Sequence, residues 1–454
     1  MSSIYEQKII VTSRKELLQI IENRIRAFGP ECSLNDLDVS NITDMSELFL
    51  NSDFNGDISQ WDVFNVEDMS YMFSGSKFSK DISSWNIIRA WKTIETAFKN
   101  TSFEDNPFRL FDFFKMDRWH EDILKKGGRI KVRTNDELRL LVRQLIREYG
   151  SSANLNVLDV SLLSDLSYAL SNLKFDGNIF AWRFPNTASS LKGMFMNCDL
   201  NSDISKWNVF HVHNMKKMFK GSSFNGDISK WDVINCRNMS SMFEASKFTG
   251  NISKWKTTNV TDMSYMFCKS VFNGDISEWN LISVKSLEGT FKKSVFNQDI
   301  SKWKVGCCKN FSYCFYRSKF TGDISNWVVS AAENMEYMFS KSEFNGDISR
   351  WNVSGVYRMS GMFSGSKFNQ DISEWNVSNV SEMGWMFEDS QFNQDISNWD
   401  VSNVIECFSM FDNCPFDGDI SRWHFSEYAL IEEHLWKLLN KDKNPDEISK
   451  TEFF

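Results

Sequence analysis

The chain of 454 residues contains little proline and little histidine, with five of each. Its histidines form no H-x-x-x-H or HExxH arrangement. The sequence also lacks a P-loop, a dinucleotide-binding glycine fingerprint and a nucleophile elbow. These absences argue against zinc, nucleotide and acyl-enzyme chemistry. We therefore expect no catalytic residues, no cofactor and no metal site, and we do not expect an enzyme.

Long apolar segments are also missing, because no stretch approaches the ~18 uncharged apolar residues of a membrane helix. The N-terminal MSSIYEQKIIVTSRKELL has no apolar run of signal-peptide length, and no lipobox-like cysteine follows it. These features predict a soluble cytoplasmic or intracellular protein without a membrane span. The net charge of −9 disfavours a nucleic-acid partner, although a local basic stripe is compatible with that total.

Aromatic residues and methionine are abundant, with 40 Phe, 17 Trp and 20 Met. Ten tryptophans recur at intervals of 24 residues without a slip: Trp207, Trp231, Trp255, Trp279, Trp303, Trp327, Trp351, Trp375, Trp399 and Trp423. Trp61 and Trp85 show the same interval, and Trp182 precedes Trp207 with one inserted residue. A short unit copied many times is typical of repeat proteins.

The unit has the sequence F-N-G-D-I-S-x-W-[ND]-V-S-N-V-x-x-M-S-x-M-F-x-x-S, and all thirteen copies keep the Ile three residues before Trp. The alternation in I-S-x-W-x-V predicts a short strand, and V-x-x-M-x-x-M-F predicts about two helical turns. One unit cannot bury its own apolar face, so copies must stack. We expect an α/β repeat solenoid with a parallel sheet of short strands, short backing helices and helical caps.

A second duplication lies over the first, because residues 9–40 match residues 130–161 at a constant offset of 121. Ser13 and Glu16, and likewise Thr134 and Glu137, predict capping boxes that open amphipathic helices. We interpret both helices as N-terminal caps. The predicted organisation is a cap at 1–33, a short array at 34–112, a bridging helix and second cap at 113–154, the main array at 155–424, and a closing helix and tail at 425–454.

An aspartate column precedes the Ile of most copies: Asp57, Asp203, Asp227, Asp275, Asp299, Asp323, Asp347, Asp371, Asp395 and Asp419. Stacked carboxylates could form a calcium ladder. The favoured interpretation is structural, because Asp after an Asn-Gly turn can accept backbone N–H groups, and Asn replaces it in two copies.

The position before each tryptophan is mostly basic and is predicted to be exposed. This column, which the predicted strand exposes, consists of Lys206, Lys230, Lys254, Glu278, Lys302, Asn326, Arg350, Glu374, Asn398 and Arg422. It is our candidate binding face for a protein or glycan partner. The alternative is a solvated surface held apart by charge.

The nine cysteines lack a paired spacing. Most occupy core positions of the repeat. Cys236 and Cys308 replace Val, Cys314 and Cys407 replace Met, and Cys198 and Cys414 replace the small Ser. We expect reduced thiols that serve as packing residues.

The repeat string, nearly complete at Phe344 to Phe363 and at Phe368 to Phe387, resembles the BspA-like leucine-rich-repeat surface proteins. It is most similar to their mycoplasma lipoprotein-type branch of unknown function, over residues 34–425. This resemblance implies a leucine-rich-repeat-like solenoid without catalytic residues, a role in adhesion or protein interaction, and a cell-surface location.

Two functions therefore remain open at this stage. The first is a non-catalytic interaction or adhesion solenoid that presents an extended binding surface. The second is a structural or self-assembling scaffold without a dedicated ligand face.

Overall fold

The computed structural model describes residues 8–82, 85, 87, 90, 93–101, 129–429 and 431–440. The chain divides into two compact units, Met1–Gly128 and Arg129–Phe454. The predicted bridging helix between Phe113 and Leu124, the degraded copy near Phe103 and the tail from Lys441 lie outside the described residues.

Each unit opens with a strand, a helix and a second strand. In the first unit these are β1 (Ile9–Ile10), α1 (Arg14–Phe28) and β2 (Leu37–Asp38), followed by α2 (Ile94–Ala97). In the second unit they are β3 (Ile130–Lys131), α3 (Asn135–Tyr149) and β4 (Leu158–Asp159), with a 3-10 turn at Leu155–Val157 and α4 (Glu433–Leu439) after the repeats. β1 pairs with β2 in parallel, and β3 pairs with β4 in the same way.

The two predicted amphipathic helices are present, and both begin with the predicted Ser or Thr N-cap. Ser13 Oγ accepts the N–H of Glu16 at 3.3 Å, and Thr134 Oγ1 accepts that of Glu137 at 3.1 Å. Each glutamate reaches one residue beyond the N-cap, so Glu16 Oε2 accepts the N–H of Thr12 at 2.8 Å. Both helices end at a glycine with positive φ, which only glycine adopts at little cost.

The predicted strand at I-S-x-W-x-V is wrong, because this segment forms a tight turn in each described copy. Trp231 donates its N–H to the Ile228 carbonyl at 3.2 Å. Asp227 Oδ1 accepts the N–H of Ser229 at 2.9 Å. The carboxylate thus captures a backbone donor that a strand would need, and it bends the chain before the tryptophan.

The predicted helix at V-x-x-M-x-x-M-F is also wrong, because this segment forms successive turns. Met242 donates its N–H to the Met239 carbonyl three residues back, at 3.1 Å. Ser241 and Ala245 have φ values of 56° and 54°, which interrupt any helix. Left-handed backbone costs a non-glycine residue about 1–2 kcal/mol. In return it frees alternate N–H groups for bonds to the next copy, each contributing about 1 kcal/mol.

Successive copies stack through these freed groups. Met239, Ser241 and Phe243 donate to carbonyls 23 residues ahead at 2.9, 2.7 and 3.0 Å. Single parallel bridges recur in each copy just before the position of the first methionine, which is Leu, Phe or Cys in some copies, from Asp165 to Glu406. The expected parallel contact between copies is therefore present. It lies in the turns of the V-x-x-M-x-x-M-F segment, which we call the methionine turns, and not beside the tryptophans.

The interior consists of stacked aromatic columns. Along the main array, adjacent tryptophan rings lie 6.1 to 6.5 Å apart with interplanar angles of 0° to 8°. The buried indoles of the array other than that of Trp207 also bond the preceding copy, as Trp231 Nε1 does by donating to the Ile204 carbonyl at 3.1 Å. The tryptophan column therefore combines ring packing with a satisfied buried donor.

The one-residue insertion before Trp207 interrupts this register. Other tryptophans of the repeats bond a carbonyl 27 residues back, whereas Ile179 lies 28 residues before Trp207. Within the described part of the chain, the buried Trp207 Nε1 has no hydrogen-bond partner.

Candidate binding surface

The column of residues before each tryptophan, from Lys206 to Arg422, is exposed at all ten positions, as expected, and we call it the tryptophan-turn column. Its residues lie at the tips of the turns between Ile and Trp, and not on a strand. Lys302 and Glu278, in adjacent copies, form an ion pair at 3.3 Å. The column is therefore accessible to a partner, but it holds no cavity-forming or aromatic side chain.

The aspartate column performs the structural task predicted for it. Asp203, Asp227 and Asp299 each accept the N–H of the serine two residues later, at 2.8 to 2.9 Å. Bonds from Ser229 hold the pKa of Asp227 below its usual value, with the backbone N–H as the largest cause. Among the described residues, no cluster of three or more His, Cys, Asp and Glu side chains could hold a metal ion.

All nine cysteines are free thiols, and most are buried. Burial raises the pKa of Cys236 and Cys308 to about 12. Cys236 Sγ donates to the carbonyl of Asn238 at 3.4 Å, which is a packing arrangement. A thiol with such a raised pKa is a poor nucleophile at neutral pH.

The methionine turns carry a surface that the sequence reasoning missed. Tyr265, Tyr313 and Tyr337 occupy the same left-handed position in different copies, with φ of 58°, 56° and 52°. All three are partly exposed. Tyr313 and Tyr337 stack with ring centroids 5.1 Å apart. These rings form a row along the outside of the stacked copies.

Glycines make room for this row. A Cβ on Gly361 would lie 2.2 Å from Tyr337 Cε1, and one on Gly289 would lie 2.5 Å from Tyr265 Cε1. The tyrosines therefore lean onto the next copy wherever that copy has glycine. Tyr265 also bonds Glu288 through its hydroxyl.

Lys292 lies among these rings. Its Nζ is 4.1 Å from the centroid of Tyr313, 5.1 Å from that of Tyr316 and 6.0 Å from that of Tyr265. Such distances allow cation–π attraction. Lys292 thus places an ammonium group among three tyrosine rings of neighbouring copies.

A second row, four residues after the tyrosine position, is entirely basic over four consecutive copies. We call it the cation ladder, and it consists of Lys269, Lys293, Arg317 and Lys341. All four are exposed, and their φ values lie between 51° and 55°. Arg317 lies 5.4 Å from the centroid of Tyr316, so the ladder adjoins the tyrosine row.

The ladder differs from those rows of this unit in which charges pair between adjacent copies. Lys309 pairs with Glu333 at 2.6 Å, Lys319 and Lys367 pair with Glu343 at 3.0 and 2.6 Å, and Arg358 pairs with Glu382 at 2.7 Å. In the described part of the structure, no carboxylate forms an ion pair with the ladder. Four like charges are therefore held side by side without compensation.

An open groove lies beside the start of this surface. Its cavity volume is about 480 Å³, and Ser240 and Ser241 lie between Lys216 and Lys217 of the preceding copy and Tyr265 of the next. Small side chains in one copy thus leave a gap between larger ones. We call the cation ladder, together with Tyr265, Lys292, Tyr313, Tyr316 and Tyr337, the tyrosine–lysine surface.

A signal for this surface was present in the sequence. The ladder residues recur every 24 positions, and each lies two residues after the Phe that ends the V-x-x-M-x-x-M-F segment of its copy. The helix predicted for this segment gave no reason to expect the ladder position at the surface. The binding face was therefore predicted only beside the tryptophans.

The comparisons with known proteins agree with the repeat organisation. The family model described as "Mycoplasma protein of unknown function, DUF285" matches residues 21–126, 144–250, 244–345 and 341–447. These four matches cover most of the chain. The chain belongs to this family. The searches of curated proteins and of solved structures gave no match.

DUF285 membership leaves the activity open, because the family's own function is unknown. The four tandem matches run through both array regions and support one repeat type throughout. Among the described residues of this DUF285 chain, no helix has both the length and the apolar character needed to cross a membrane.

Proposed function

We propose that this DUF285 chain is a non-catalytic interaction protein whose repeats form a leucine-rich-repeat-like solenoid of the BspA-like type. Its tyrosine–lysine surface binds a protein partner. The observation that carries the proposal is the uncompensated cation ladder beside partly exposed tyrosines. Tyrosine and arginine are enriched at protein interfaces, where rigid rings add contact area.

The tryptophan-turn column is the weaker candidate for this role. It is accessible, but its charges include both signs and it lacks aromatic side chains. An interface formed by such polar turns gains association rate from its charges but little affinity, because solvated charges contribute little to the free energy of binding.

A displayed library of random peptides tests the proposal. Peptides selected on the full chain are measured against two variants. The ladder variant is K269N/K293N/R317N/K341N, and Asn is suitable because Asn51, Asn197 and Asn413 occupy the same left-handed position in other copies. The control variant, K206N/K230N/K254N/R350N, removes four charges from the tryptophan-turn column.

We expect most selected peptides to lose binding to the ladder variant and to keep it with the control variant. Thermal unfolding of both variants should match the parent chain, because all eight side chains are exposed. Peptides that bind both variants equally well would refute the proposal. An oligomer seen by light scattering in that case would support a self-assembling scaffold instead.

A further inference from the structure

The cation ladder has a regular geometry that restricts its partner. Each ladder residue donates its backbone N–H to a carbonyl of the next copy, at 2.7 to 2.9 Å: Lys269 to Lys292, Lys293 to Tyr316, Arg317 to Ser340 and Lys341 to Ser364. Backbone bonds of this kind set neighbouring chains about 4.8 Å apart. Four residues at three such steps therefore span about 14 Å in a row.

The row also has ends. Ala245 precedes Lys269 at the same position, and Gly365 follows Lys341. The unpaired positive charge of this row is thus confined to four copies. The nearby Lys309, Lys319 and Arg358 differ from the ladder because each is paired with a glutamate. A confined and unpaired row fits a ligand that supplies a matching row of about four negative charges.

The spacing distinguishes between the backbones that could carry these charges. An α-helix presents one side chain per turn of about 5.4 Å, so four charges on successive turns are separated by three steps and span about 16 Å. An extended strand presents side chains on one face about every 6.6 Å, which gives about 20 Å. The helical row is closer to the ladder length of about 14 Å than the extended row is. Flexible lysine and arginine side chains accommodate this smaller difference in length more readily than the larger one.

The neighbouring tyrosines distinguish between a helix and a single-stranded nucleic acid. Base recognition on such surfaces needs free ring faces. Here Tyr313 stacks on Tyr337, Tyr337 leans onto Gly361, and Lys292 lies over Tyr313. The faces are largely occupied, so ring edges and hydroxyls remain for packing against aliphatic side chains. This arrangement fits the apolar flank of an amphipathic helix.

We infer that the tyrosine–lysine surface binds an acidic amphipathic helix of a partner protein, with carboxylates at successive turns along the cation ladder and aliphatic side chains against the tyrosine row. This inference rests on the proposed function and specifies the partner class. The ladder supplies register and association rate through charge, and the tyrosine row supplies the desolvated contact.

Two synthetic peptides of equal composition provide the test. The first places Glu at successive turns on one helical row and Leu on the adjacent row. The second carries the same residues rearranged so that Glu surrounds the helix. Fluorescence anisotropy gives the dissociation constant of each peptide for the full chain, the ladder variant and the control variant, at low and high salt.

We expect the first peptide to bind the full chain and the control variant alike, and to bind the ladder variant at least about tenfold more weakly. Its affinity should fall as salt is raised. Equal affinity for the two peptides, or for the full chain and the ladder variant, would overturn the inference. Ladder-dependent binding of heparin or single-stranded DNA without preference for the first peptide would overturn it too.

The two failures are distinguishable. If library-selected peptides still depend on the ladder while the acidic helix does not bind, the interaction function stands and only the partner class is wrong. If neither depends on the ladder, both proposals fail.

Discussion

At the scale of single residues, the indole nitrogen of the stacked tryptophans shows how register and burial are linked. Trp231 Nε1 donates to a carbonyl of the preceding copy, whereas the equally buried Trp207 Nε1 has no partner in the described structure. The two rings stack on each other with centroids 6.5 Å apart. They differ in this hydrogen bond and in an edge-on contact of Trp207 with Phe184, whose ring centroids lie 4.7 Å apart.

Substitution by phenylalanine should separate the contribution of this bond from that of packing. Trp231→Phe removes a hydrogen bond as well as ring area, while Trp207→Phe removes ring area and an unsatisfied buried donor. We expect Trp231→Phe to lower the free energy of unfolding by about 1 kcal/mol or more beyond the effect of Trp207→Phe. Urea denaturation of the two variants measures the difference. Equal losses would mean that the indole bond contributes nothing.

At the scale of elements, the success of prediction depended on how local the signal was. Helices α1 and α3 follow from Ser13 and Thr134 with a glutamate three residues later, and their caps form as expected. The turns of the repeat did not follow, because the same three- and four-residue spacing of apolar groups suits both a helix and a series of turns. Hydrogen bonds between copies stabilise the turns over a helix, and these bonds cannot be inferred from the sequence of one copy.

The tyrosine–lysine surface escaped prediction for the same reason. Lys269 and Lys293 come together only through stacking, and their position is at the surface only when the backbone adopts the left-handed conformation. Tryptophan and isoleucine could be assigned to the core from the sequence alone, since their burial follows from their chemistry. The direction of a polar side chain in a turn depends on the turn type instead.

The aspartate turns should make stability depend on acid in a defined way. Bonds from the following serines lower the pKa of Asp227, Asp275 and Asp299 in the folded chain. A lowered folded pKa means that the ionised carboxylate stabilises the fold. That contribution is complete above the unfolded value of about pH 4 and is lost as pH falls through the lowered folded values.

We expect the melting temperature of the parent chain to fall between pH 5 and pH 3. The variant D227N/D275N/D299N should lose less over this range, because Asn keeps the acceptor oxygen without titrating. Asn178 and Asn251 already form this turn in two copies, at 3.1 and 2.9 Å. The variant D227A/D275A/D299A should be destabilised at both pH values. Parallel acid sensitivity of the parent and the Asn variant would contradict this account.

At the scale of the whole molecule, the repeats of the second unit are coupled mainly to their neighbours. The backbone bonds, indole bonds and ring stacks that join copies connect positions 23 to 27 residues apart. In a linear array of this kind, stability is approximately a sum over copies and over the contacts between adjacent copies. Removing one copy should therefore leave the remaining contacts intact, provided that the register of 24 residues is kept.

Two deletions that differ by one residue test this linear coupling. Removing Phe224–Lys247 takes out 24 residues, so Trp255 again lies 27 residues after Ile204 and can bond its carbonyl. Removing Asn225–Lys247 takes out 23 residues and reproduces the offset found before Trp207. We expect both chains to fold, with the second less stable by about 1–3 kcal/mol because a buried indole loses its acceptor. Denaturation curves of the two chains measure this difference. Collapse of the first deletion would show that distant copies depend on one another, and would argue against a solenoid.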